Sequence, residues 1–287
     1  MSRVLPWTLL ALAAALVAAP ATARSQDVRV VAAQRQRGAE EQLDVKIQFG
    51  AGELNLAPAP AGTLYRSRFR YDARNFEPVV EYSAGKLHIG LESPGRVSVR
   101  RSQASELDLA LGPDVALALD LQFGAAQADL ELGGLNLRRA VIATGASETT
   151  LRFSRPNTGQ AEYLRLNAGA AAFRAYGLGN ANLSRLEVEG AVGDIVLDFS
   201  GQWRSDMTAS VKVGLGSLTL NLPRGVGVRL AREGVLAKID AHGLVRDADG
   251  YYYSEDWGSA RHKLTLRLDA AFGAVNVRWV DVDLAAP

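Results

Sequence analysis

Cysteine is absent from this chain of 287 residues, and histidine and methionine are scarce. Without cysteine there is no disulfide framework, no thiolate metal site, no catalytic thiol and no lipidated N-terminal cysteine. The three histidines, His88, His242 and His262, lack the spacing of a metal-binding motif. His242 and His262 flank one C-terminal segment and could meet in space, but the sequence predicts neither a metal site nor a cofactor.

An excess of charge of either sign is also missing. Lysine and arginine number 32, aspartate and glutamate number 31, and the formal net charge is +1. This balance gives no whole-chain argument for binding nucleic acid or an anionic membrane surface. Because 48% of the residues are hydrophobic, a chain of this length can bury a sizeable core.

Long apolar runs occur only at the N-terminus. Arg3 precedes an apolar stretch, residues 4–17, which is followed by Pro20 and a small-residue site at 21–23. A run this short ahead of such a site is typical of a cleaved signal peptide rather than a bilayer span. We therefore expect residues 1–23 to be removed on export. The mature chain would lack a transmembrane segment and reside in the periplasm or at the cell surface.

Glycine is abundant, and it recurs in a motif that reads apolar-Gly-small-small-x-apolar-x-apolar. The clearest copies begin at Phe49 and Val213. From position 124 the leading glycines fall at 145, 169, 190 and 214, in steps of 21, 24, 21 and 24 residues. A fixed period of this length indicates stacked structural units. The glycines to which we assign a structural role are Gly50, Gly52, Gly124, Gly145, Gly169, Gly190, Gly193, Gly214, Gly216 and Gly273.

Short segments of apolar-polar alternation surround these glycines, and helical periodicity is missing from the mature chain. The sequence therefore predicts an all-β fold, a solenoid-like stack of short strands with glycine-rich turns and a repeat of 21–24 residues. Glycine suits such turns because a Cβ would clash with the next unit or disfavour a positive φ. Asp129, Asp194 and Asp198 alternate with apolar neighbours, so we expect them to face water.

The pattern divides the mature chain into three parts. Residues 24–42 are polar and are expected to form a flexible lead-in. Residues 43–110 form an N-terminal β module, and residues 111–287 form the β-solenoid repeat body. Within that body, residues 232–262 depart from the repeat and are expected to form an excursion between two stacked units.

Two stretches carry the pattern in its fullest form. Residues 45–56 hold the first Gly-x-Gly unit. Residues 211–277 hold another, followed by Gly-x-x-x-Lys-x-Asp (234–240), a tyrosine-rich loop and a last Gly-Ala-Val-x-Val. Over residues 43–280 the chain resembles the toast-rack and adhesin-related β-solenoid families of bacterial envelope proteins, which include the C-terminal domain of LiaF-type proteins. The resemblance implies an envelope location and a structural, adhesive or sensory role, and it carries over no catalytic residues.

A catalytic constellation does not stand out. Ser254 and His262 lie in one region, but no nucleophile-elbow motif marks the serine. Asp194 and Asp198 could be the carboxylate pair of a polysaccharide hydrolase, although solvated surface charges are the simpler interpretation. The Asp-Ala-Asp-Gly stretch at 247–250 is interpreted as a β-turn rather than a calcium loop.

Two segments are candidates for binding. Arg66, Arg68 and Arg70 alternate with aromatic residues, so a strand would present the arginines on one face. They could bind an anionic envelope polymer, or they could form a solvated face behind a buried aromatic one. The second segment holds a group of loop aromatics, which can stack on sugars or anchor a protein, or can fold back as a lid over the end of the stack. These aromatics are Tyr251, Tyr252, Tyr253 and Trp257.

The sequence thus favours an exported, non-enzymatic envelope protein with a structural, adhesive or stress-sensing binding role. Its expected partner is an envelope protein or a cell-surface glycan, and not nucleic acid. The enzyme alternative is a polysaccharide lyase or hydrolase on a β-helix scaffold. A third alternative is a filament or surface-layer subunit, since exposed strand edges at the ends of a stack invite further stacking.

Overall fold

The computed structural model describes residues 27–92, 105–233 and 238–281. Sixteen strands form one sheet, which confirms the predicted all-β, solenoid-like class. None of the helices in these three ranges is long and apolar enough to cross a membrane. The strands are β1 (Val28–Gln36), β2 (Gln42–Pro58), β3 (Thr63–Asp72), β4 (Glu77–Ser83), β5 (Lys86–Glu92), β6 (Ser105–Leu111), β7 (Ala116–Glu131), β8 (Leu137–Arg152), β9 (Ala161–Tyr176), β10 (Leu183–Asp198), β11 (Met207–Pro223), β12 (Gly227–Glu233), β13 (Lys238–Asp240), β14 (Val245–Arg246), β15 (Tyr252–Tyr253) and β16 (Lys263–Val280).

Seven strands are long, with 16 to 18 residues each, and they pass through the repeated glycines without ending. In β2 the buried residues are at odd positions up to Phe49 and at even positions from Leu54 onward. This change of phase marks a bend within the strand, where the sequence had predicted a turn between two short strands. The register is the same before and after the bend, for example with Phe49 opposite Phe123 and Ala51 opposite Ala125, so neighbouring strands bend at the same level.

We call the part of each long strand before the bend the first arm, the bend the corner, and the part after it the second arm. The long strands are parallel neighbours in the order β2, β7, β8, β9, β10, β11, β16. Apolar side chains of both arms belong to one core cluster, so the core lies between the arms. The connecting loops add buried residues such as Leu132, Phe153 and Phe199.

Shorter strands complete both ends of the stack. At the N-terminal end, β5 pairs with the first arm of β2, and β6 pairs with its second arm. At the C-terminal end, β12 pairs with the first arm of β16, and β13 pairs with its second arm. Antiparallel strands then follow. At the N-terminal end β4 pairs with β5, β3 pairs with β6, and β1 pairs with β3. At the C-terminal end β15 pairs with β12, and β14 pairs with β15. Antiparallel strands therefore cover both arms at the N-terminal end and the first arm at the C-terminal end. Among the described residues, the second arm there ends at the parallel strand β13.

The lead-in expected to be flexible contains a strand. β1 runs antiparallel to β3, from Val28 opposite Asp72 to Gln36 opposite Thr63. Its side chains are exposed on both faces apart from Ala33, so no apolar-polar alternation marked it in the sequence. Backbone pairing with β3 holds this segment to the sheet, with side-chain contacts added at Ala33 and Arg35.

The sheet continues across the module boundary expected near residue 110. β2 pairs with β7 from Gln42 to Leu56, and one core cluster spans both sides. The excursion expected at 232–262 holds the end of β12, the short strands β13 to β15 and a helical turn at Glu255–Trp257. The signal segment at 1–23 lies outside the described residues.

Candidate binding surfaces

The repeated glycines form two columns along the corner. The first column holds Gly50, Gly124, Gly145, Gly169 and Gly214, since a Cβ on one member would approach the backbone of the member before it or of Ala191. The second column holds four glycines at positive φ, of which Gly193, Gly216 and Gly273 lie side by side.

Two glycines do not lie in the first column, where the motif predicted them. Gly190 pairs with Ala168 and Val213, and Ala191 takes the place in the first column. Gly273 pairs with Gly216 and therefore belongs to the second column. The register is fixed by the buried side chains of both arms, whereas the motif was aligned on the apolar residue before each glycine.

A groove of about 1090 Å³ follows the first glycine column, because that column lacks large side chains. One flank is a row of mostly polar side chains, which we call the corner wall. In stack order from β2 to β16 the corner wall is Gln48, Gln122, Ala143, Asn167, Glu189, Lys212 and Asp269.

Next to the first glycine column, beyond the residues that line the groove, runs an apolar row that we call the corner ridge. Its last three members are exposed, Val192 by 50%, Leu215 by 54% and Phe272 by 57%, on three successive strands. Sequence reasoning treated these residues as part of the repeat and missed them as a surface. In stack order the corner ridge is Ala51, Ala125, Ala146, Ala170, Val192, Leu215 and Phe272.

The arginine-rich strand has the alternation that the sequence predicted. β3 buries Tyr65, Phe69 and Tyr71 and exposes its arginines. Its neighbour β6, however, presents acidic residues on the same face. Arg68 forms an ion pair of 3.4 Å with Asp108, and Arg70 lies opposite Glu106. Much of the positive charge of Arg66, Arg68 and Arg70 is therefore balanced locally.

A larger basic surface lies on the outer side of the first arm, in two neighbouring rows that we call the basic rows. Each row takes one outward side chain from each strand, from β5 to β12. Together the two rows hold seven cations and three carboxylates. The cations are Lys46, Lys86, Arg139, Arg165, Arg185, Arg229 and Arg267, and the carboxylates are Asp44, Asp120 and Glu187.

Among the described residues, most of these cations form no ion pair. Arg165 donates to Glu187 over 2.7 Å, and this bond raises the pKa of Arg165 above its usual value. Within the three described ranges, Arg139, Arg185 and Arg267 form no ion pair. The basic rows therefore carry charge that is free to meet an anion.

The predicted aromatic group closes the C-terminal end of the stack. Tyr252 and Tyr253 form β15, which pairs with β12. The rings of Tyr253 and Trp257 meet edge to face with centroids 5.6 Å apart. Cations of the chain lie over these rings, with Arg229 at 5.5 Å and Lys263 at 5.0 Å from the centre of Trp257. The arrangement matches the lid interpretation, and binding of sugar or protein by this group stays a prediction.

The two aspartates considered as a catalytic pair both form hydrogen bonds within the fold. Asp194 is exposed and accepts a bond of 2.6 Å from the Ser217 hydroxyl. Asp198 was expected to face water but is only 9% exposed. It holds the loop after β10 by accepting bonds from Ser200 and from Asn221. Its oxygens are thus engaged, which leaves them poorly placed as half of a hydrolytic pair.

The two C-terminal histidines have separate partners. His262 lies 3.9 Å from Asp206, and the carbonyl of His242 accepts a bond from the Trp279 indole. No cluster of three or more metal-ligating side chains occurs in residues 27–92, 105–233 and 238–281. The Asp247–Gly250 stretch forms the turn between β14 and β15, where Asp247 accepts a bond from the Tyr251 amide.

One carboxyl at the N-terminal end has a strongly shifted pKa. Glu40 accepts a bond of 2.8 Å from the Tyr82 hydroxyl and another from the Gly38 amide. These bonds lower the pKa of Glu40 to about 2 and raise the pKa of Tyr82. Arg35 lies 4.3 Å from the centre of the Tyr82 ring and completes the group. The group joins β1 and the loop that follows it to β4 and is structural.

Comparison with solved structures gives distant likenesses. A candidate cell adhesion protein from Clostridium sporogenes is 17% identical with a TM-score of 0.45, over 88% of this chain and 100% of that one. A candidate adhesin from Bacteroides fragilis is 11% identical with a TM-score of 0.40, over 87% and 97%. No curated protein matches the sequence. Likenesses this distant carry no argument about function.

The family comparison is more decisive. Residues 20–174 and 161–221 match the family described as the N-terminal domain of toast_rack, DUF2154. The two matches together span well over half of the 287 residues. They confirm the resemblance that the glycine motif indicated. The chain therefore belongs to the toast-rack family.

Proposed function

We propose that the protein is an exported, non-enzymatic binding protein of the cell envelope that attaches to an anionic surface polymer. The observation that carries this proposal is the set of unpaired cations in the basic rows. The N-terminal segment at 1–23, with its charged start and short apolar run, supports export. An adhesive role fits best, because the charges are spread along the molecule and do not converge on one point.

The spacing of the rows suits a linear polyanion. Neighbouring strands are about 4.8 Å apart, so Arg139 and Arg185, two strands apart, are separated by about 10 Å along the stack. Tyr163 lies between them in the same row, and Arg165 is 5.7 Å from the centre of its ring. Guanidinium groups bind carboxylate and phosphate oxygens in a two-pronged manner. A polymer laid along the stack would meet a cation of this row at every second or third strand.

The proposal is tested by comparing two triple variants that remove the same charge from different faces. Replacing Arg139, Arg185 and Arg267 with glutamine should weaken binding about tenfold, at about 0.5 kcal/mol for each exposed contact. The matched control replaces Arg66, Arg68 and Arg70 with glutamine and should bind like the wild type. Binding to immobilised polygalacturonate, a glycerol-phosphate polymer and neutral dextran would be measured by interferometry at several salt concentrations.

The three polymers separate the sources of the anion. Preference for the polygalacturonate indicates carboxylate recognition, and preference for the glycerol-phosphate polymer indicates phosphate recognition. Equal affinity for dextran, or equal loss in both triple variants, would contradict the proposal.

A further inference from the structure

Among the described residues, the corner ridge ends in three exposed apolar side chains. Val192, Leu215 and Phe272 stand on successive strands with half or more of their surface exposed. Contiguous exposed apolar side chains on a folded domain mark a contact site. The ridge also changes along its length, from four alanines at the N-terminal side to increasingly large residues at the C-terminal side. This increase in side-chain size along the ridge restricts which surfaces can pack against it.

We propose that the corner ridge and groove form the contact between two antiparallel copies of this chain. A two-fold axis that crosses the stack at Ala170 reverses the order of strands in the second copy. Phe272 then faces Ala51 of the second copy, and Leu215 faces its Ala125. The large side chains fit beside the glycine groove of the other molecule, where alanine and glycine leave room. Such a contact is self-complementary, as a two-fold interface requires.

The corner wall agrees with the same arrangement. Under the same axis Asp269 faces Gln48 of the second copy, Lys212 faces its Gln122, and Asn167 faces its own counterpart. No two like charges meet in this row. Asp269 and Lys212 each meet an amide that can bond to them, and Glu189 meets the small side chain of Ala143. In a parallel arrangement the ridge of one copy would instead lie against the wall of the other. Charged side chains would then be buried against Leu215 and Phe272, so the antiparallel arrangement is favoured.

The size of the contact predicts a weak dimer. Seven strands at about 4.8 Å give a strip about 29 Å long, and a corner about 15 Å wide gives about 450 Å² from each copy. Stable complexes bury about 800 Å² from each partner. We therefore expect reversible pairing in the upper micromolar range. The pairing leaves the basic rows open on both copies and is independent of the proposed polymer binding.

The absence of cysteine allows a direct test of the geometry. In Ala170→Cys the two thiols meet at the axis, so mild oxidation of the full-length exported protein should give a disulfide-linked dimer. The control is Thr208→Cys, which is also exposed and lies on the outer face of the first arm. A mixture of Leu215→Cys and Ala125→Cys proteins should cross-link to each other faster than either cross-links to itself.

Sedimentation equilibrium gives the matching solution measurement. The wild type should show concentration-dependent dimers, and the double variant Leu215→Gln and Phe272→Gln should remain monomeric. Both side chains are exposed, so the fold should persist, which circular dichroism checks. The proposal is overturned if Ala170→Cys cross-links no faster than Thr208→Cys. A wild type that stays monomeric to about 1 mM, or self-linking as fast as mixed linking, would overturn it too.

Discussion

At the scale of single residues, the second glycine column is the tightest point of the stack. A Cβ on Gly216 would lie 1.8 Å from the carbonyl oxygen of Gly193, and the φ of Gly216 is +142°. By contrast, a Cβ on Gly50 would meet nothing within 4 Å. The two glycines share one motif, yet only Gly216 is required by its geometry.

This contrast gives a prediction for two alanine variants. Gly216→Ala should lower the free energy of unfolding by at least about 2 kcal/mol, since the backbone must leave a conformation that only glycine adopts easily. Gly50→Ala should change it by less than about 1 kcal/mol. Guanidinium unfolding followed by circular dichroism measures both. Equal effects in the two variants would show that the corner is built differently.

A second residue-scale prediction concerns pH. The pKa of Glu40 falls from an ordinary 4.5 to about 2, so its ionised form is favoured in the folded state. Its contribution is present above pH 4.5 and is lost as the pH falls toward 2. Glu40→Gln should therefore have a lower free energy of unfolding than the wild type at pH 7. The difference should shrink as the pH falls from 4.5 toward 2.

The matched control for this experiment is Glu41→Gln, an exposed neighbour. Urea unfolding at pH 7, 4.5 and 2.5 would compare the three proteins. A gap between wild type and Glu40→Gln that is constant across these pH values would mean that the Tyr82 bond does not favour the charged form.

At the scale of strands, β1 differs from the long strands of the sheet because it pairs along one edge. β1 pairs only with β3 among the described residues, whereas β9 pairs along its length with β8 and β10. Strands with exposed faces and one free edge open at low free energy. We predict that amides of residues 28–36 exchange with deuterium well before those of residues 161–176. Comparable protection, measured by mass spectrometry, would indicate that another chain covers the β1 edge.

The strands also show what the sequence could reveal. The alternation in β3 was predictable because one face is buried and the other solvated. β1 was not, because both of its faces are exposed and no pattern distinguishes it from a polar loop. The corner was taken for a turn, because a bend shared by parallel neighbours requires knowledge of their register. Local patterns report burial, and they do not report pairing.

At the scale of the whole molecule, the stack separates its surfaces by chemistry. The outer side of the first arm carries unpaired cations, the second arm carries mixed charges such as the pair of Arg174 and Glu148, and the corner carries an apolar ridge. The family was recognisable from the glycine motif, but the basic rows were not. Each strand contributes at most one of their cations, at separations of about 20 residues or more along the chain. A search for local charge clusters therefore finds Arg66, Arg68 and Arg70 instead.

The central claim is that the basic rows, and not the arginines of β3, form the polymer-binding face. The most direct measurement is arginine-specific dicarbonyl labelling with and without bound polygalacturonate, followed by mass spectrometry. The account predicts that the polymer protects Arg139, Arg185 and Arg267, while labelling of the β3 arginines is unchanged. Protection of the β3 arginines with full labelling of Arg139, Arg185 and Arg267 would contradict it.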